Sequence, residues 1–77
     1  MPIPPESIQA GKCYLSNHGQ VRRVIGLVPG RVQFERRTRS ASSETGWAWV
    51  SGLAERRAFA LLVEREVPCD WTREREG

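Results

Sequence analysis

Lysine and histidine are nearly missing from this chain of 77 residues: Lys12 and His18 are the single examples, against eleven arginines. No apolar run approaches the ~20 residues that a membrane-spanning helix needs; the longest pieces resemble "AFALLV" at 58–63. No membrane association is therefore expected. The opening "MPIPPES" has neither a basic n-region nor an apolar h-region, so no secretory signal is expected there and a cytoplasmic setting is. The seven glycines are scattered and form no GxGxxG or GxxxxGK[ST] loop, which removes the usual phosphate cradles. The two cysteines, Cys13 and Cys69, form no CxxC knuckle. Structural zinc wants four nitrogen or sulfur ligands in closely spaced pairs, so neither metal nor cofactor is expected. Paired acids occur only as Glu64/Glu66 and Glu74/Glu76; residues two apart on a helix do not face each other.

The length fits one domain, and a domain of this size buries only about 60–65% of its unfolded surface. So small a core rarely houses both a deep pocket and a catalytic constellation, which favours a non-enzymatic binding module. An enzymatic reading rests on Cys13, His18 and Cys69, with Asp70 near the last, but no orienting third group or oxyanion element accompanies them. His18 sits beside Gly19 and reads as a turn residue. In a cytoplasmic setting both cysteines read as reduced thiols. A Cys13–Cys69 disulfide requires that the two ends of the chain meet in space.

The formal charge of +3 is unevenly spread. Residues 11–40 hold Lys12, Arg22, Arg23, Arg31, Arg36, Arg37 and Arg39 against Glu35 alone, a net +6, while residues 41–77 carry five arginines against seven acids. The arginine bias has two readings. Guanidinium geometry suits bidentate phosphate contacts, and a GC-rich genome codes arginine cheaply.

The order along the chain predicts four strands and a helix. Residues 1–10 form a Pro-rich lead. "KCYLS" is a first strand, and Asn17, His18 and Gly19 make a turn in which Gly19 can take positive φ. "VRRVIGLV" is a second strand with apolar residues on both faces. Gly26 inside it suggests a bulge or bend. Pro29-Gly30 turns the chain into "RVQFERR", whose alternation sends Val32 and Phe34 inward and Arg31, Gln33, Glu35 and Arg37 outward. A polar loop, Thr38–Gly46, leads to "WAWVS". Then "GLAERRAFALLVEREV" reads as a helix, capped by Ser51 or Gly52, with a stripe of Phe59, Leu62, Val63 and Val67. Pro68 ends it, and Trp71 can fold back on the sheet. Residues 11–71 make the domain and 72–77 a solvated tail.

The hairpin "GQVRRVIGLVPGRVQFE" resembles the strand-turn-strand core of SH3-like and Tudor-like small barrels. The layout "GKCYL…GQVRRV…GRVQFE…W…FA…VEREVPCDW", from Gly11 to Trp71, resembles small bacterial proteins without an established activity. The resemblance implies a mainly β fold with one helix: a small SH3-like antiparallel barrel, β-β-β-β-α, with the C-terminal helix packed on it. Such barrels bind proline-rich peptides, methylated side chains, nucleic acids and proteins. The acidic loop of peptide-binding SH3 domains has no counterpart in residues 38–46, which argues against proline-rich ligands.

Two partner readings stay open. Nucleic acid would be held by Arg22, Arg23, Arg31, Arg36, Arg37 and Arg39, with Trp47 or Trp49 stacking on bases. Alternatively, a protein partner or a second copy would use the Trp47–Trp49 strand and the Thr38–Gly46 loop. Trp47 and Trp49 are two apart on a strand, so they share a face. Tyr14 could join them in an aromatic platform, or all three could simply fill the core.

Overall fold

The computed structural model describes residues 3–72. The expected tail, from residue 73 onward, lies outside the described residues, as do residues 1–2. Five strands form one antiparallel sheet: β1 (Cys13–Ser16), β2 (Val21–Val28), β3 (Arg31–Arg39), β4 (Trp47–Glu55) and β5 (Val63–Val67), in the order β4-β3-β2-β1-β5. A helix, α1 (Arg56–Leu62), joins β4 to β5, and a 3-10 turn, Pro5–Ser7, precedes β1. The sheet ends on β4 and β5, which do not pair with each other, so the ladder is not closed into a barrel.

The β1–β2 and β2–β3 connections follow the local sequence. In the first, Gly19 takes φ 79°, and the buried Ser16 hydroxyl accepts the backbone N–H groups of His18 (3.3 Å) and Gln20 (3.1 Å). In the second, Val28 pairs directly with Arg31. Pro29 pre-sets one turn residue, and Gly30 takes φ 73°, where a side chain would be strained. The expected irregularity near Gly26 is a β-bulge: the register shifts between Val24 and Gly26, leaving Ile25 as the extra residue. The slip moves Leu27 to the face of Val24, so Val21 and Arg23 share a face with Gly26 and Val28 and not with Leu27.

The long helix expected from Gly52 is corrected. β4 continues through Leu53, Ala54 and Glu55 because β3 offers Gln33, Val32 and Arg31 as partners. Glu55 occupies the helix cap without a side-chain bond, so neither Ser51 nor Gly52 caps it. Only seven residues are helical. Val63–Val67 instead pairs with β1, Cys13 opposite Val67 and Tyr14 opposite Glu66. β-branched residues suit this pleated setting, and a helical period cannot show a partner strand fifty residues away. Leu61 is exposed.

Side chains alternate across the sheet and build a core on each face. On one face, Tyr14, Val24, Val32 and Phe34 pack under α1, which contributes Phe59 and Ala60, with Val63 and Ile8. Phe59 meets Tyr14 edge-on at 6.3 Å and Phe34 at 5.3 Å between ring centroids. Ile8 is fully buried, so the Pro-rich lead joins the core instead of merely approaching it. The Tyr14 hydroxyl accepts the Gln9 N–H at 2.9 Å and donates to the Ser7 carbonyl at 3.4 Å, tying that lead down. On the other face, Cys13, Leu15, Val21 and Val67 pack against Trp71, with Trp49 and Cys69 at the margin.

Cys13 and Cys69 are joined by a disulfide, with Cα atoms 5.2 Å apart. This corrects the expectation of reduced thiols. Once Val67 lies opposite Cys13, Cys69 is only two residues beyond it. The bridge spans 56 residues, and closing a loop of that size in the unfolded chain is worth about 4 kcal/mol in the chain-entropy model.

Two outcomes are expected from these contacts. Reduction should lower the stability read by urea denaturation by about 4 kcal/mol, and a Cys13→Ser/Cys69→Ser chain should match the reduced protein. Gly52→Ala should cost about 1–3 kcal/mol, because a Cβ there would lie 2.6 Å from Phe34 Cζ. A neutral Gly52→Ala would contradict that packing.

Candidate functional site

Strand parity sorts the six candidate arginines. In β3, Arg31, Gln33, Glu35, Arg37 and Arg39 face one side, opposite Glu55, Leu53, Ser51, Trp49 and Trp47 of β4. Arg23 of β2 lies opposite Glu35 and joins this side. Arg22 and Arg36 lie opposite each other on the other side. The structure thus brings together Arg23, Arg31, Arg37 and Arg39, and separates Arg22 and Arg36 from them.

On the first side the cations stack on indole rings. Arg37 lies 4.2 Å and Arg39 4.3 Å from the Trp47 ring centroid, and Arg23 lies 4.4 Å from that of Trp49. Guanidinium–indole contacts at this range are attractive, by ~0.5–1 kcal/mol when exposed and more when desolvated. Both indoles are half-buried, so part of each ring stays at the surface. Arg23 also forms an ion pair with Glu35, and its guanidinium donates to that carboxylate. Tyr14 does not join Trp47 and Trp49; it is buried on the opposite face against Phe59.

Arg37 differs from its neighbours. Sequence alternation places it outward with Arg31 and Glu35, but it is 8% exposed. Its guanidinium donates to the Cys69 carbonyl at 3.0 Å and to the Trp71 carbonyl. The C-terminal segment, drawn in by the disulfide, covers this part of the face. Burial lowers the Arg37 pKa from its ordinary value, Asp70 opposes that shift, and Arg39 adds to it. Arg37 is therefore committed to holding the C-terminal segment, while Arg31 and Arg39 remain exposed.

On the opposite side, Arg22 lies 5.1 Å from the Phe34 ring centroid and donates to the Gln20 side-chain carbonyl at 3.5 Å. Burial, and then the charge of Arg36, lower its pKa. Like charges placed directly across a sheet are mutually destabilising. Among the described residues no acid forms an ion pair with either.

Beyond the Glu35–Arg23 pair the first side becomes apolar. Ile25, turned out by the bulge, and Leu53 are each about half exposed. With Gln33, Phe34, Ser51 and Gly52 they line an open groove of about 530 Å³. Farther along, Arg31 meets Arg56 and Arg57 at the β2–β3 turn. Neither is among the six candidate arginines, because the sequence reading places both inside the helix. Their signal appears only when β4 is seen to run to Glu55, which brings residues 56–57 level with the turn.

His18 is exposed in its turn, and the two sulfurs are bonded to each other, so neither Cys13 nor Cys69 presents a thiol in this structure. Among the described residues, no three histidine, cysteine, aspartate or glutamate side chains converge as a metal site, and no helix is long and apolar enough to cross a membrane.

Arg37→Ala should destabilise the protein by about 3 kcal/mol, because a buried and a part-buried carbonyl lose charged donors. Arg39→Ala should cost under about 1 kcal/mol. Urea denaturation of both variants checks this contrast; equal losses would contradict the distinct role of Arg37. Comparison with protein-family models, curated proteins and solved structures found no match for this chain, so the functional reading rests on this geometry alone.

Proposed function

We propose that this chain is a non-enzymatic binding module of SH3-like type that holds single-stranded nucleic acid along the β3–β4 face. The observation that carries this reading is the stacking of Arg37 and Arg39 on Trp47 and of Arg23 on Trp49. Single strands offer phosphates and unstacked bases together. A surface that alternates guanidinium groups and partly exposed aromatic rings matches both. Stacking on an indole also holds an arginine's planar fork in place before a ligand arrives, so less entropy is lost on binding. Arg39 and Arg31, exposed at the two ends of β3, are the phosphate contacts. Trp47 is covered by Arg37 and Arg39, so it acts by ordering the exposed Arg39 guanidinium, the plane on which a base stacks. Arg22 and Arg36 add positive potential from the other side of the same strands. The SH3-like reading is supported by the four-strand meander, the bulge in β2 and the return of β5 to β1.

A second reading, a protein partner or a homodimer at the Trp47–Trp49 strand, is favoured by one observation. β4 is an edge of the sheet and runs nine residues, and an open edge can accept another strand.

An amide NMR titration with a random single-stranded oligonucleotide separates the two. Nucleic-acid binding should shift Arg31–Arg39 and Trp47–Leu53, fading with salt by a log–log slope on the order of −0.7 per phosphate contacted. Arg39→Ala and Trp47→Ala should each weaken it. An unshifted spectrum at low salt sinks the reading. Shifts along β4 that depend instead on protein concentration favour the homodimer.

A further inference from the structure

We infer that the groove between the β2–β3 turn and the start of α1 is a binding site for a phosphate monoester. The groove encloses about 470 Å³ and is lined by Pro29, Gly30, Arg31, Glu55, Arg56 and Arg57, with Pro5 as its far wall. Three arginines and one glutamate line it, a surplus of two positive charges. Arg31 and Arg57 are exposed, and Arg56 is half-buried. The Nε atoms of Arg22, Arg37 and Arg56 are all buried without a hydrogen-bond partner among the described residues, so the charge of the exposed Arg31 and Arg57 and of the half-buried Arg56, not the Arg56 Nε, is what the site offers.

The site is also held in shape before any ligand arrives. The Arg56 backbone N–H donates to the Gly30 carbonyl at 3.0 Å, fastening the helix start to the turn. Pro29 stiffens one side of that turn, and Gly30, at φ 73°, leaves it without a side chain. Arg31 pairs across the ladder with Glu55, so its backbone is fixed on the other side. Arginine forks match phosphate oxygens in bidentate fashion. A doubly charged phosphate monoester uses the surplus of two charges fully; a chloride ion offers no such geometry.

This site shares Arg31 with the β3–β4 face, whereas Arg56 and Arg57 belong to it alone. Free phosphate, a nucleoside monophosphate and the 5′-phosphate of an oligonucleotide share the required chemistry, and the test separates them. Amide spectra of the intact disulfide-bonded protein are followed with sodium phosphate and with sodium chloride at equal ionic strength. Phosphate alone should give saturable shifts at Gly30, Arg31, Arg56 and Arg57. Nucleoside monophosphate should give the same shifts. An oligonucleotide should move these amides more with a 5′-phosphate than without one if nucleic acid is the source. Arg56→Gln/Arg57→Gln should weaken phosphate binding by about tenfold or more in a protein whose remaining spectrum is retained. Glu55→Gln should tighten it, by removing the opposing charge, and Lys12→Gln, at an exposed cation outside both sites, should leave it unchanged. Equal shifts with chloride, or unaltered affinity in Arg56→Gln/Arg57→Gln, overturn the site. Shifts at Trp47–Leu53 are read in the same spectra, so this site and the β3–β4 face succeed or fail separately.

Discussion

Val67 stands opposite Cys13 across the β1–β5 ladder, and a large share of the molecule depends on that register. It places Cys69 within bonding distance of Cys13 and turns residues 68–71 back over the sheet. Trp71 then closes the second core, and the carbonyls of Cys69 and Trp71 reach Arg37. The same pairing holds α1 over the opposite face, because α1 is tied between β4 and β5. A chain this short gains little from one core. Here a sheet with apolar residues on both sides is used twice, and the bridge limits the unfolded ensemble that opposes it.

The covered part of the second face changes what its arginines can do. Arg37 spends its two terminal nitrogens on backbone carbonyls inside the protein. Arg23 is neutralised by Glu35. Arg31 and Arg39, at the ends of the same strand, keep their charge available to solvent. A count of cations in the first half of the chain treats all of these alike. Desolvation and pairing separate them into structural and surface groups, and only the surface groups can contribute to a ligand's phosphate contacts.

The apolar groove at Ile25 and Leu53 has a backbone origin. The bulge inserts Ile25 as an extra residue, turning it outward, and Gly52 leaves room for the Phe34 ring beneath it. One departure from regular pairing and one absent side chain therefore shape the surface between the indole stack and the Arg31–Arg56–Arg57 cluster. Along β3 the exposed face runs from cation and aromatic, through an ion pair, to an apolar groove, and then to cations again.

By itself, the sequence determined the local features of this protein. Pro29-Gly30 and the Asn17–Gly19 turn, the outward and inward alternation at Val32 and Phe34, the shared face of Trp47 and Trp49, and the irregularity at Gly26 all follow from backbone preference and a two-residue period, which act over a few positions. The fate of "GLAERRAFALLVEREV" was decided by tertiary structure. Its composition suits a helix, but β3 extends β4 at its front and β1 captures Val63–Val67 at its back, because strand pairing satisfies backbone groups that a short exposed helix end leaves to water. The disulfide, the burial of Arg37, the placement of Tyr14 away from the tryptophans and the meeting of Arg31 with Arg56 and Arg57 were decided the same way. Each joins residues far apart in the chain, and no local preference records which distant strand will arrive beside them.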